Sequence, residues 1–335
     1  MKKYVNLFVF VFMIGACLSQ GRAQTKSAVS YKNPVVDIAM PDPTVIKAAD
    51  GYFYVYATES TRNVPIMKSK DLVEWTYCNT AFTNKTRPRF EPKAGIWAPD
   101  INYINGKYVL YYAMSVWGGE QTCGIGVATA NSPQGPFTDH GKMFRSNEIG
   151  VQNSIDPSLL QYEGRNYLVW GSFRGIYVIE LTADGLSIMP GAKKKRIAGT
   201  AFEAVYIHKY GDYYYMFASI GSCCQGVKST YKVVVGRSKK VWGPYKDKTG
   251  KPMLKNGYSL VIGANDHFVG NGHGSQIIQD DAGQDWLLYH GFSRSTPENG
   301  RILLLDQIKW DQEGWPYVEG GSPSYETQKA PVFNN

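Results

Sequence analysis

Five segments of this chain are variants of one phrase, and that repetition limits the fold more than any other feature. They are "MPDPTVIKAADGYFYVYAT" from Met40, "WAPDINYINGKYVLYYAMS" from Trp97, "SIDPSLLQYEGRNYLVWGS" from Ser154, "FEAVYIHKYGDYYYMFAS" from Phe202 and "GHGSQIIQDDAGQDWLLYHGF" from Gly272. Each has an extended apolar segment, a short polar turn with a glycine, then an aromatic and β-branched run. That order reads as strand, turn, strand. Polar and apolar residues alternate only weakly, so both faces of each hairpin are expected to be buried.

The turn glycines are Gly51, Gly106, Gly164, Gly211 and Gly283, spaced by 55, 58, 47 and 72 residues. A period near 50 predicts one four-stranded sheet per repeat, with the sheets set radially. Further strands fit between the hairpins, in "IMKSKDLVEW", "GIGVATANSPQGPF", "GIYVIEL" and "YKVVVGRSKKVWGPY". The expected fold class is all-β, a five-bladed β-propeller, as a single domain over residues 30–325. An irregular β-sandwich is the competing architecture, and five matched hairpins weigh against it.

Composition agrees. The 335 residues are 43% hydrophobic and include 24 Tyr, 8 Trp and 35 Gly, as aromatic strands with glycine turns require. The net charge of +8 fits a soluble basic exported protein, or attraction to an acidic polymer such as pectin. "KKKR" at 193–196 is short and reads as a loop. No dense basic cluster interleaved with aromatics points to nucleic acid. Residues 1–23 read as an export signal: Lys2 and Lys3, then the apolar "VNLFVFVFMIGA", too short for a membrane span. Two endings fit it, a cut before Gln24 or a lipobox "IGAC" with Cys17 lipidated. The expected location is therefore the periplasm, the medium or the cell surface as a lipoprotein. Cys78, Cys123, Cys223 and Cys224 lack zinc-ligand spacing and read as structural. A disulfide between the adjacent Cys223 and Cys224 stays open.

The phrases open on polar residues: Asp42, Asp100, Asp156, Glu203 and the stretch His273–Ser275. In a propeller the first strand of each blade lines the central channel, so these positions converge on the axis. Buried like charges cost stability unless partnered. They make sense where acids with separated pKa values are needed. One ionised and one protonated carboxyl are the equipment of glycoside hydrolysis, and a third can tune the acid. Trp97 and Trp117 are candidate flat surfaces for sugar rings, or blade packing.

Together "PDPTV", "WAPD", "SIDPS", "FEAVYI" and "GHGSQ", in this order, resemble glycoside hydrolase family 43 over essentially the whole chain after the signal. "NSID", "GSFRGIYVIEL" and the stretch from "CCQGVKSTYK" are most similar to members that are endo-acting arabinan 1,5-α-L-arabinosidases. The resemblance implies Asp42 as general base, Glu203 as general acid and Asp156 as the aspartate that tunes and orients the acid. It implies inversion, with the working carboxyls about 6.5–9.5 Å apart. It also implies sugar contacts from Trp97, Asn153, Ser154, Ser172 and Phe173, a supporting role for Asp100, and calcium contacting His273. Chemistry alone would not suggest that metal, since calcium prefers oxygen ligands. His208, His267 and His290 carry no motif. No organic cofactor is expected; the partner is a polysaccharide or oligosaccharide, and the protein a monomer. "GNGHGS" and "GRILLLDQIKWDQEGWPYV" depart from the usual endo pattern, and Arg301 in the latter reads as a sugar contact or a blade brace. The alternatives are an exo-acting α-L-arabinofuranosidase or β-xylosidase of the same family, a non-catalytic carbohydrate-binding propeller, and a protein-interaction propeller, which would not need convergent acids.

Overall fold

The computed structural model describes Met1 and residues 29–334. The signal segment and Cys17 therefore fall, Met1 apart, outside the described residues. Five antiparallel sheets form the blades of a propeller. Blade I holds Thr44–Lys47, Phe53–Tyr56, Pro65–Ser69 and Thr76–Thr80. Blade II holds Gly95–Ile104, Lys107–Ser115, Gly124–Ala130 and Thr138–Arg145. Blade III holds Ser158–Tyr162, Arg165–Trp170, Ile176–Glu180 and Lys195–Ala198. Blade IV holds Glu203–Tyr210, Tyr213–Ile220, Lys232–Ser238 and Ser259–Ile262. The five turn glycines all have positive φ, between 54° and 83°, a conformation glycine adopts without Cβ strain.

Blade V is assembled from both ends of the chain. Phe268–Gly272, Asp285–Ser293 and Ile302–Trp310 supply three strands, and the early segment Val36–Ala39 supplies the fourth, pairing Val36 with Leu303. Ser30–Tyr31 also pairs with Gln328–Lys329. Hairpin phrases reveal only the inner strands, so this closure was not visible in the repeats. Packing continues past residue 325: Ala330 and Phe333 are buried, and the Phe333 ring lies 4.6 Å from that of Phe53.

The weak alternation has a direct cause. Along Phe53–Tyr56, Phe53 and Val55 face the cluster shared with blade V, while Tyr54 and Tyr56 face the cluster shared with blade II. Period-2 side chains here meet apolar surface on both sides. Five large apolar clusters result, one in each gap between neighbouring blades. The long interval before Gly283 reflects the excursion between Ser238 and Ser259, which folds back against Lys195–Ala198.

Leu303 is fully buried in the cluster that joins blade V to blade I, beside the closing strand. Leu303→Ala is expected to cost about 2–5 kcal/mol. Urea unfolding should show a lower midpoint with an unchanged slope.

Candidate active site

The inner strand of each blade enters the channel through one residue with left-handed backbone. These are Asp42 (φ 54°), Ala98 (41°), Asp156 (56°), Ala204 (53°) and His273 (51°). Such a conformation costs about 1–3 kcal/mol per residue and persists only where the surroundings enforce it. Four of these residues have their N–H captured by the preceding blade. His290 Nδ1 accepts from Asp42 at 3.0 Å, and Thr58 Oγ1 from Ala98 at 2.7 Å. Asp156 Oδ2 accepts from Ala204 at 3.1 Å, and Ser219 Oγ from His273 at 2.9 Å.

This register corrects the equivalence read from the sequence. Asp42, Asp156 and His273 share the position, Glu203 stands one residue before it, and Asp100 two residues after. Two residues along a strand is the same face, roughly 7 Å further down the axis. Asp100 accordingly lies beneath the cleft, lining a small axial well of about 20 Å³ with room for about one water. There it accepts bonds from the Leu159 N–H (2.8 Å), Asn102 Nδ2 (2.7 Å) and Gln276 Nε2 (3.1 Å). Burial, only partly offset by these bonds, pushes its carboxyl up to about 7.

Above the well opens a cleft of about 760 Å³ that gathers Asp42, Asp156, Glu203 and His273. The three acids have different surroundings. Burial pushes Asp42 up, but Arg301 Nη1 at 2.7 Å and His273 Nδ1 at 3.2 Å, both on Oδ1, hold it well below the usual carboxylate range. Asp156 is raised to about 7 by burial and by the charges of Glu203 and Asp42, against the pull of His273. Glu203 is raised by burial and by Asp42, while Ser172 Oγ, donating at 2.5 Å, and the Tyr231 hydroxyl work the other way. One carboxylate is thus kept ionised beside a pair that retains a proton near neutrality.

His290, which carried no sequence motif, is central. It is fully buried, its pKa is lowered to about 4 chiefly by burial, and its Nδ1 accepts the Asp42 N–H. The ring is therefore neutral with the proton on Nε2, and its 3.3 Å approach to the Asp42 carboxylate is not an ion pair. Tyr231 stacks on it at 5.6 Å. A Cβ on Gly272 would sit 2.2 Å from the Tyr231 ring, so only glycine lets that ring in. Ser219 and His290 lie on second strands, Thr58 just after one and Tyr231 just before a third; Thr58, Ser219 and His290 stand at the closing ends of the repeated phrases, away from the openings that carry the acids.

Of the expected sugar contacts, Trp97, Asn153, Ser172 and Phe173 line the cleft. Ser154 does not. It is fully buried behind the wall, donating to the Val151 carbonyl at 2.7 Å and accepting from Trp170 Nε1 at 3.0 Å. Asn153 ends a turn with left-handed backbone (φ 54°) and faces the cleft, while Ser154 after it is turned into the wall. Asn153 Nδ2 donates to Ser172 Oγ at 2.9 Å, which ties it to the holder of Glu203. Trp97 packs against Trp117, largely exposed at the lip, with ring centres 5.3 Å apart. Arg301 also lines the cleft, on Asp42. Cys223 and Cys224 form a disulfide on the opposite wall.

Among the described residues no three His, Cys, Asp or Glu side chains are grouped to hold a metal. His273 would offer calcium one nitrogen, where calcium takes six to eight oxygens. The donor set does not fit a calcium centre built from side chains.

A sequence profile described as glycosyl hydrolases family 43 matches residues 31–316. The extracellular endo-α-(1→5)-L-arabinanase 1 of Bacillus subtilis is 37% identical over 290 residues, 82% of this chain and 86% of that protein. The extracellular exo-α-(1→5)-L-arabinofuranosidase of Cellvibrio japonicus is 36% identical over 83% of this chain and 86% of its own length. The Cellvibrio cellulosa α-L-arabinanase, solved with arabinohexaose, superposes with a TM-score of 0.77 at 33% identity, over 85% of this chain and 96% of that one. The profile spans nearly the whole propeller and the relatives exceed 30% identity over more than four fifths of the chain: this protein belongs to glycosyl hydrolases family 43.

Proposed function

We propose that this chain cleaves internal α-1,5-L-arabinofuranosidic linkages of arabinan, the pectin side chain, with inversion. The observation that carries the reading is the split among three carboxyls in one cleft, Asp42 kept ionised and the Asp156–Glu203 pair shifted up. Water attacks the anomeric carbon and gives a proton to Asp42. Glu203 gives its proton to the departing sugar oxygen as the glycosidic bond breaks. Asp156 acts through Glu203, by its charge and by holding the Ala204 N–H. A binding-only propeller would have no use for this separation.

Similarity to the Bacillus subtilis endo-arabinanase supports the endo mode. The exo-acting Cellvibrio japonicus relative, at nearly equal identity, supports the second reading, release of single arabinose units. Export follows the signal-like N-terminus and the extracellular relatives; among the described residues no helix is long and apolar enough to cross a membrane. Mass spectrometry of the mature N-terminus separates a cut before Gln24 from lipidation at Cys17. Calcium at His273 enters only as an ion whose other ligands are waters. Elemental analysis of the purified protein and of His273→Ala tests it, and no step above uses it.

On linear 1,5-α-arabinan we expect a ladder of oligomers at early times; arabinose alone from the start would establish the exo reading. Proton NMR should show the inverted anomer first, and the retained anomer would overturn the roles given. Asp42→Ala and Glu203→Ala should each lower kcat by roughly 10²–10⁴-fold. An aryl arabinofuranoside with a good leaving group should recover much of the Glu203→Ala loss and none of the Asp42→Ala loss.

Ser172→Ala tests the tuning of the acid. The hydroxyl bond favours the ionised form of Glu203, so its removal raises the pKa. Since Glu203 must be protonated to act, the alkaline limb of kcat/KM should move to higher pH. A shift to lower pH would contradict the assignment.

A further inference from the structure

The positive charge of this chain is unevenly placed. Residues 191–260 contain 14 Lys and Arg against 3 Asp and Glu, a formal +11, whereas the whole chain stands at +8 and the remainder therefore at −3. The segment forms the outer strand of blade III and nearly all of blade IV. Its carboxyls do little to offset the charge. Glu203 sits in the cleft, and Asp247 is buried with Oδ1 taken by the Thr249 and Lys251 N–H groups at 2.9 Å each. Asp212 alone is exposed. Among the described residues, Lys248 is the one cation of the fourteen with a carboxylate partner, Asp311 at 3.1 Å.

Tertiary structure concentrates these cations. The Gly199 N–H bonds the Met253 carbonyl at 2.9 Å, and the Ala201 N–H bonds Asn256 Oδ1 at 3.2 Å. Those bonds pin the loop carrying Lys251 and Lys255 against Lys195–Ala198. Lys193, Lys194, Lys195, Arg196, Lys251 and Lys255 are thereby joined on one rim, all exposed, and none lines the cleft. The "KKKR" run supplies four of these six cations. The seam between the same two blades also carries half-buried aromatic rings. Trp242 lies 4.6 Å from Tyr167 and 5.9 Å from Tyr162, and Tyr162 lies 6.0 Å from Tyr214.

Clustered like charges repel one another and weaken the folded state. A neutral arabinan chain in the cleft requires none of them. Single exposed ion pairs contribute little, but many along one polymer add through multivalency. Lys209 Nζ lies 4.8 Å over the Tyr214 ring, and rings on the same seam suit sugars better than a bare polyanion. We propose that the outer rim of blades III and IV is a docking surface for an acidic polysaccharide, a polymer of uronic acid residues, separate from the catalytic cleft. Holding an acidic backbone there would keep the enzyme beside neutral chains grafted onto it. That benefit rests on the function proposed above; the binding itself does not.

The test is titration of the mature chain with polygalacturonate at low and high salt, beside Lys193→Ser/Lys194→Ser/Lys195→Ser/Lys251→Ser/Lys255→Ser. Wild type should bind at low salt and release as salt screens the contacts. The variant, changed only at exposed lysines, should lose roughly tenfold or more in affinity. Its turnover on soluble linear arabinan should stay at the wild-type rate, which also shows that it folds. Equal affinity of variant and wild type would overturn the proposal. So would tighter wild-type binding to dextran sulfate or double-stranded DNA than to polygalacturonate. Polygalacturonate binding without arabinan turnover would sink the hydrolytic reading and leave this one standing.

Discussion

The structure depends on hydrogen bonds that cross from blade to blade at the axis. In four of the five blades the left-handed residue at the channel has its N–H held by the previous blade, through His290, Thr58, Asp156 and Ser219. These bonds act at the channel, where each blade has a residue with left-handed backbone. They close the ring and aim side chains into the channel at once. A carboxylate placed by such a latch cannot move without disturbing its neighbour. Strain and catalysis are thus concentrated at the same residues.

The same latches divide the electrostatics. Asp42 has a cation beside it, contributed by Arg301 from blade V, and His273 on the same oxygen. Asp156 and Glu203 have each other, burial, and hydrogen bonds from backbone and hydroxyl groups. Three carboxyls of nearly the same chemistry are driven to different protonation states by what the adjacent blades place around them. Asp100 shows the limit of the pattern. It is as buried as the others and also shifted up, yet it stands one step lower and ties blades together.

Much of this was legible in the chain. The turn glycines, the aromatic runs and the three acids are local features, and local patterns survive in sequence. Errors arose where one residue of register matters. Ser154 stands beside Asn153 in sequence, yet faces the other way; Asp100 opens its phrase as Asp42 does, yet lies deeper. Nothing local in the sequence shows that Arg301 sits against Asp42; its place in the tertiary structure does. Tyr231 is an ordinary aromatic just before a third strand and carries no marker of the channel; His290 has only its place at the end of the fifth phrase, where other phrases end on Thr58 and Ser219.

The sequence by itself determined the number of blades and the acids, since both are written as a repeat with a period of about one blade. It also contained the strand that closes blade V, Val36–Ala39, without identifying it. Tertiary structure decided which end meets which, which side chain holds each acid and where the positive charge collects. Those outcomes join residues far apart in the chain, such as Asn33 and Ser324, 291 positions apart. No local spacing encodes them, because they follow from closing a ring, and the ring brings the first strand against the last.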